Sequence, residues 1–477
     1  MILNYDESTE IKDIILKHVL LPPFQTTLSM AGMRDLTVGK EGKLILSFAL
    51  PMLYGNIFQQ LYNIVDSIVI GKYLGNEALA AVGASFPLIF TLISLIIGIA
   101  TGATIIISQY YGAKNLVKVR QAIDTLYIFL FFASIALTVI DILSSNSIFR
   151  LIDLPDDVIP QASLYFNLYA TGFVFFFGFQ GTTAILRGLG DSRTPLYFLI
   201  ISTLVNIVLD ILFVVVFKWG IEGVAIATVI AQAGAFVSII FYLHRTNELL
   251  LFRPFQMKFD REIFRRSMQI GLPTGLQQTF VAVGMLALYK VVNMFGTSVI
   301  AAYSIAMRID SFAALPAMNF AAALSSFVGQ NIGANKHERV RIGLNATLRM
   351  TAYISLGVTL LAWLFPTAIM GMFTNDPSVV EAGKDYLYIV SVFYIVFSTM
   401  FVYNGVLRGA GDTIIPMFVT LFSLWVVRIP ISWFLAQKMG PEGIWWGIPI
   451  AWAIGAVFSF FYFRTGKWKT KVVINRK

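Results

Sequence analysis

Long apolar runs, each ended by a short polar or basic stretch, set the rhythm of this chain. A helix that crosses a membrane needs about 20 mostly apolar residues. Twelve segments meet that need: 44–70, 79–108, 121–143, 160–187, 194–217, 220–243, 266–290, 298–328, 343–366, 380–407, 414–436 and 441–463. The pattern predicts an all-α membrane protein with twelve transmembrane helices. Several runs exceed the minimum, which predicts tilts or kinks. Pro51, Pro87, Pro273, Pro316, Pro430 and Pro449 lie inside or near the ends of spans, so neighbouring helices must satisfy the backbone groups they free.

The same order of motifs occurs twice. Residues 184–195 read Ala-Ile-Leu-Arg-Gly-Leu-Gly-Asp-Ser-Arg-Thr-Pro, and residues 405–416 read Gly-Val-Leu-Arg-Gly-Ala-Gly-Asp-Thr-Ile-Ile-Pro, 221 residues later. At the same offset, Ser108-Gln109-Tyr110-Tyr111-Gly112-Ala113 matches Gly329-Gln330-Asn331-Ile332-Gly333-Ala334. Two hydrophobic halves in one internal order are the mark of a duplicated transporter. Six spans per half is an even number, so both halves enter the membrane in the same direction as a parallel repeat. The expected organisation is a tail over 1–42, an N-lobe over 43–243, a linker over 244–265, a C-lobe over 266–463 and a basic tail over 464–477. The apolar piece at 14–21 is too short to span and Met33 is a natural start, so residues 1–32 are expected to be a cytoplasmic tail or an upstream extension.

Composition narrows the class. The chain is 57% hydrophobic and 13% charged, against about 25% charged in soluble domains. The net charge of +9 does not signal nucleic-acid binding, because the basic residues sit in short loops between spans. Those loops carry Lys114, Lys118 and Arg120, then Arg187 and Arg193, then the 245–266 cluster, then Lys336, Arg339 and Arg341. The opposite loops carry acids such as Asp153, Asp156, Asp157 and Asp376. By the positive-inside rule both termini are cytoplasmic. There is no cysteine and there are three histidines, which excludes disulfides and argues against a zinc site.

Charge inside a membrane is costly and marks candidate sites. On the first span Gly55, Gln59, Tyr62, Asn63 and Asp66 fall on one helical face. Such a stripe faces the protein interior or a water-filled cavity. A helix–helix seam needs amides and hydroxyls, and the carboxylate of Asp66 points instead to function. On the fifth span Asn206 and Asp210 share a face amid apolar neighbours, and the sixth contains Thr228. A carboxylate placed like Asp210 pairs, binds a cation or takes up a proton. Asp66, Asn206, Asp210 and Thr228 supply the oxygen types a sodium ion takes.

The second half differs. Asp66 corresponds to Leu288 and Asp210 to Pro430, so ion coupling is expected in the first lobe. That half offers Gln277, Gln278, Lys290, Arg308, Asp310 and Arg428. Gln277, Gln278 and Asp310 join Gln59, Tyr62 and Asn63 as candidate cavity residues. The doubled Arg-Gly-x-Gly-Asp motif reads first as a turn whose Asp caps the next helix, and second as a gate in which Arg187 and Arg408 pair with Asp191 and Asp412. No strand precedes it and no Gly-Lys-Ser/Thr follows, so it is not a phosphate loop.

With Leu-Tyr-Asn-Ile-Val-Asp-Ser at 61–67, Ala-Leu-Ala-Ala-Val-Gly at 78–83, the doubled Leu-Arg-Gly-x-Gly-Asp and Asn206-Ile-Val-Leu-Asp210, the chain resembles the multidrug and toxic compound extrusion (MATE) family, in its DinF-like prokaryotic branch, over about 34–465. The resemblance implies a sodium or proton site at Asp66, Asn206, Asp210 and Thr228, with the Val224 carbonyl as a further ligand. It implies an efflux antiporter for amphipathic, often cationic compounds, monomeric, in the bacterial inner membrane, with no cofactor beyond the coupling ion and no enzymatic activity. Another branch carries an acid in the seventh span, and 266–289 here has none. The alternative within the same superfamily is a lipid-linked oligosaccharide flippase.

Overall fold

A computed structural model describes residues 32–474; most of the expected tail, residues 1–31, lies outside the described residues. The first half runs α1 (Glu41–Tyr73), α2 (Gly75–Gly112), α3 (Leu116–Leu151), α4a (Ile159–Thr171), α4b (Phe173–Gly188), α5 (Arg193–Val216) and α6 (Ile221–Thr246). The second runs α7 (Arg261–Phe295), α8 (Thr297–Gly333), α9 (His337–Leu364), α10 (Pro377–Ala410), α11 (Ile414–Met439) and α12 (Pro441–Arg464). Eleven helices are long and apolar enough to span, and the bent pair α4a–α4b makes twelve if it is one span. The sequence reads 160–187 as one run, whereas the helix breaks at Gly172 with a 51° bend.

Caps stop these helices where the polar signals fall. Asn115 accepts from Lys118 N at 3.1 Å at the start of α3, and Asp260 accepts from Glu262 N and Ile263 N, both at 3.0 Å, at the start of α7. Burial pushes the Asp260 carboxyl up. The Ile263 and Glu262 amides and the Lys118 ammonium, 3.1 Å away, outweigh it and hold the group below the usual carboxylate range. Asp191 does what the capping reading of its motif expects. It accepts from Arg193 N (2.9 Å), Thr194 N (3.0 Å) and the Thr194 hydroxyl (2.6 Å). Asp412 instead accepts from Tyr462 Oη at 2.6 Å. Neither acid forms an ion pair with Arg187 or Arg408 among the described residues; Arg408 donates to Gln277 at 3.0 Å.

The lobes meet where α2 packs against α7 and α8, and glycines set the approach. A Cβ on Gly98 would lie 2.4 Å from Gly275 N, and one on Gly271 would lie 2.4 Å from Ile99 Cα, so α2 and α7 cross backbone to backbone.

At the basic face the two repeated motifs lock onto each other. Gln109 donates to Gly409 O at 3.2 Å, and its repeat mate Gln330 donates to Gly188 O at 3.1 Å. The other end of each amide holds a chain segment from the opposite half. Leu36 N donates to Gln330 Oε1 at 2.9 Å, and Val473 N donates to Gln109 Oε1 at 3.0 Å. Lys114 pairs with Asp35 at 2.6 Å and Arg339 with Glu41 at 2.7 Å around the first of these straps. The Lys114 pair and the Thr37 hydrogen bonds overcome burial and hold the Asp35 carboxyl below its ordinary range.

Candidate functional site

A cavity of about 120 Å³ opens within the N-lobe, lined by α1, α4b, α5 and α6. From α1, Gly55, Gln59 and Tyr62 reach its wall; from α5, Asn206; from α6, Thr228 and Gln232; and from the end of α4b, Arg187. The i, i+4, i+7 spacing of the α1 stripe accounts for Gly55, Gln59 and Tyr62 sharing that wall. Asn63, one position on from Tyr62, is not on the wall. It is exposed, with its amide 3.5 Å from Gln60. A residue 100° around the helix from Tyr62 leaves the seam unless the neighbours curl around it.

The acids lie just beyond. The Asp66 and Asp210 carboxyl groups lie against each other, placed to share a hydrogen bond when one of them carries a proton. Two carboxyl groups in contact need a proton or a cation between them. With its amide assigned so that the nitrogen faces the acid, Asn206 donates to Asp210 Oδ2 at 3.0 Å and accepts from Thr228 N at 3.3 Å. The Thr228 hydroxyl lies 3.3 Å from Tyr62 Oη and donates to Val224 O at 3.0 Å. All four residues expected to share the site are therefore within one connected network, with Val224 joined through its carbonyl. Asp66 Oδ1 and Asp210 Oδ1 have no hydrogen-bond partner. Two orphaned carboxylate oxygens beside an amide and a hydroxyl form a donor set of hard oxygens, which fits sodium as it fits a proton. Directly after Asp210 the α5 helix widens into π-helical turns over Ile211–Val216, a distortion frequent at functional sites.

The second lobe fills the equivalent space with hydrocarbon. Leu288, the counterpart of Asp66, is fully buried in a core with Tyr303, Tyr386 and Trp445. Trp445 stacks on Tyr303 at 5.8 Å and meets Tyr386 edge-on at 5.0 Å. Asp310 is held here by the hydroxyls of Tyr386 and Tyr394. Gln277 is buried, donating to Thr420 Oγ1 at 2.6 Å, and Gln278 is half-buried. The structure thus does not bring Gln277, Gln278 or Asp310 to the N-lobe cavity: their hydrogen bonds and helices belong to the C-lobe. Arg428 is buried, 3.5 Å from Tyr303 Oη, while Lys290 and Arg308 are exposed.

Several cavity groups escaped the sequence reading, among them Asn56, Gln180, Ser202 and Thr203. Arg187 read as a turn or gate residue, yet its side chain lines the cavity. Gln232, 3.4 Å from Tyr169 Oη, lies one helical turn from Thr228 and was legible by that spacing. Thr183 lies one turn before Arg187 and carries no signal of its own. Among the described residues no three His, Cys, Asp or Glu side chains group as a metal site.

Two like halves of apolar helices, the first enclosing a polar cavity, define a duplicated membrane transporter. A model of the MatE family matches residues 51–212 and again 273–434. The chain is 32% identical to "Probable multidrug resistance protein YpnP" of Bacillus subtilis (strain 168), over 93% of this chain and 99% of the relative. It is 26% identical to "Probable multidrug resistance protein NorM" of Thermotoga maritima, over 91% and 95%. The solved structure titled "Outward-facing conformation of a multidrug resistance MATE family transporter of the MOP superfamily" superposes with a TM-score of 0.86 at 24% identity, over 92% of this chain and 99% of that one. The chain belongs to the MatE family of multidrug efflux transporters.

Proposed function

We propose that this transporter is an antiporter, exporting amphipathic, often cationic compounds in exchange for protons or sodium by alternating access. The observation that supports this reading is the joined network of Asp66, Asp210, Asn206, Thr228 and Tyr62 at the wall of the N-lobe cavity. A cargo cation in the cavity and a coupling cation on the carboxyl pair compete for the same negative charge. Each ligand biases the lobes only through unequal affinity for the two states. The basic face, sealed by the Gln109 and Gln330 contacts, is the cytoplasmic face. On this reading the sealed basic face corresponds to a state open to the outside, with both termini in the cytoplasm of a bacterial inner membrane.

The test is efflux of a cationic dye from sealed vesicles under separately imposed pH and sodium gradients. Asp66→Asn and Asp210→Asn should abolish gradient-driven export and weaken binding of the cationic dye while leaving the protein folded. Full export by the double variant refutes coupling in this lobe.

A further inference from the structure

Helix α3 does not line the cavity, yet it carries two buried acids, of which Asp124 pairs with Arg120 at 3.1 Å and Asp141 pairs with nothing. Asp141 is 1% exposed, and both of its carboxyl oxygens lack a hydrogen-bond partner. Its neighbours Ile140, Ile142 and Leu143 are exposed hydrophobics, so the chain turns hydrocarbon outward and this carboxyl inward. Two hydrogen bonds fix the antiparallel register of the seam it enters. Thr138 donates to Ala170 O at 2.7 Å, and Ser163 donates to Asn146 Oδ1 at 2.7 Å. That register sets Asp141 opposite Asn167, whose own side-chain oxygen is buried and unpartnered. Three acceptor oxygens therefore share one seam, and no donor, the Asn167 amide nitrogen included, reaches either oxygen of the carboxyl. A buried acceptor without a donor is costly, and an unpaired buried charge more so.

The duplication supplies an internal control. Thr359 donates to Ser391 O at 2.6 Å, repeating the Thr138–Ala170 bond 221 residues on. The position that matches Asp141 is Ala362, buried at 3%. The fold builds this seam without an acid, so packing does not demand one. The seam also adjoins the break of α4 at Gly172, since Ala170 O, just before the bend, is the acceptor that Thr138 satisfies.

From this geometry we propose that Asp141 is a second proton-binding group of the N-lobe, separate from the Asp66–Asp210 pair and set at the hinge of α4. A proton from water at the outer face adds to a carboxyl oxygen, and the new O–H donates to Asn167 Oδ1. On release the proton returns to water. Leu151, the outer end of α3, is about 15 Å away along the helix. The titratable groups on the packed elements leave the carboxyl to burial alone: Glu77, Tyr110 and Tyr111 on α2, Tyr165 and Tyr169 on α4a, Glu262, Arg265 and Arg266 on α7, and Glu248 in the linker. The same holds for Arg120, Asp124, Tyr127 and Arg150 on α3 itself.

The role in turnover rests on the antiport reading; the protonation does not. Infrared difference spectra of the purified full chain in liposomes, taken between about pH 5 and about pH 9, count protonated carboxyls. Asp141→Asn and Asp141→Ala should each lose one carboxylic acid signal that the Asp66→Asn/Asp210→Asn variant retains. Ala362 shows that the alanine variant is compatible with the fold. Spectra of both Asp141 variants identical to the parent overturn the proposal. Dye export by Asp141→Asn should lose part of the parent's pH dependence, and an unchanged profile overturns the role in turnover. Absence of gradient-driven export in the parent sinks the antiport reading while the infrared count still decides Asp141.

Discussion

Replacing Gln109 and Gln330 together by alanine should open the sealed face. Four buried or half-buried hydrogen bonds cross there: two donated by the glutamine amides to Gly409 O and Gly188 O, and two accepted from Val473 N and Leu36 N. A typical hydrogen bond contributes about 0.5–1.5 kcal/mol net, so the loss of four should remove about 2–6 kcal/mol from the sealed state. At about 1.4 kcal/mol per tenfold, that is roughly a 30- to 20,000-fold shift toward the state open at this face. The chain has no cysteine, so a single Ser108→Cys reporter, fully buried against Gly329 of the other lobe, is read without background. A membrane-impermeant maleimide applied from the basic side should label it at least tenfold faster in the double variant. Because the contacts are repeat mates, Gln109→Ala and Gln330→Ala alone should each give about half the free-energy change. Labelling that does not differ from the parent in any variant refutes the idea that these amides hold the face shut.

Other outcomes can be measured alongside. Gly271→Ala would push a Cβ to 2.4 Å from the backbone of Ile99. It should lower the melting temperature by the equivalent of about 1–3 kcal/mol, the usual cost of overpacking. Thr228→Val removes the hydroxyl shared by Tyr62 and Val224 O. It should raise the concentration of coupling ion needed for half-maximal export by about tenfold or more. Asp260→Ala loses the α7 cap, at about 1 kcal/mol, read as faster amide exchange over the first turn of α7. In the parent, the Asp260 carboxyl is held below its ordinary value. Its contribution is therefore complete above the unfolded value near about pH 3.9 and is lost as pH falls through the lower folded value, so exchange at that turn should accelerate only in strong acid.

Periodicity made the spans legible, and offset matching made the duplication legible, because both are properties of the chain read in one dimension. The α1 stripe pointed to Gln59, Tyr62 and Asp66 as one face, and the loss of acids at Leu288 pointed to an asymmetric pair of lobes. What distance in space decides was not legible. Gln109 and Gln330 stood out only as repeated letters, since nothing local says that each amide reaches the Arg-Gly turn of the other half. Asn63 followed the stripe in sequence but stands off the cavity wall, because a helical face is wider than the seam it serves. Asp310 looked like a cavity acid until Tyr386, 76 residues away, and Tyr394 are seen to hold it. Gly172 gave no warning of a bend, for glycine within an apolar run is as compatible with a straight helix as with a broken one.

The two straps carry a practical corollary. Leu36 and Val473 flank the first and last spans, and each plugs a glutamine of the far lobe. A reporter or affinity handle grafted next to either segment is thus mechanically wired to the doorway, and a trimmed variant would rest with that doorway ajar. Transport rates gathered on such derivatives measure the graft together with the carrier.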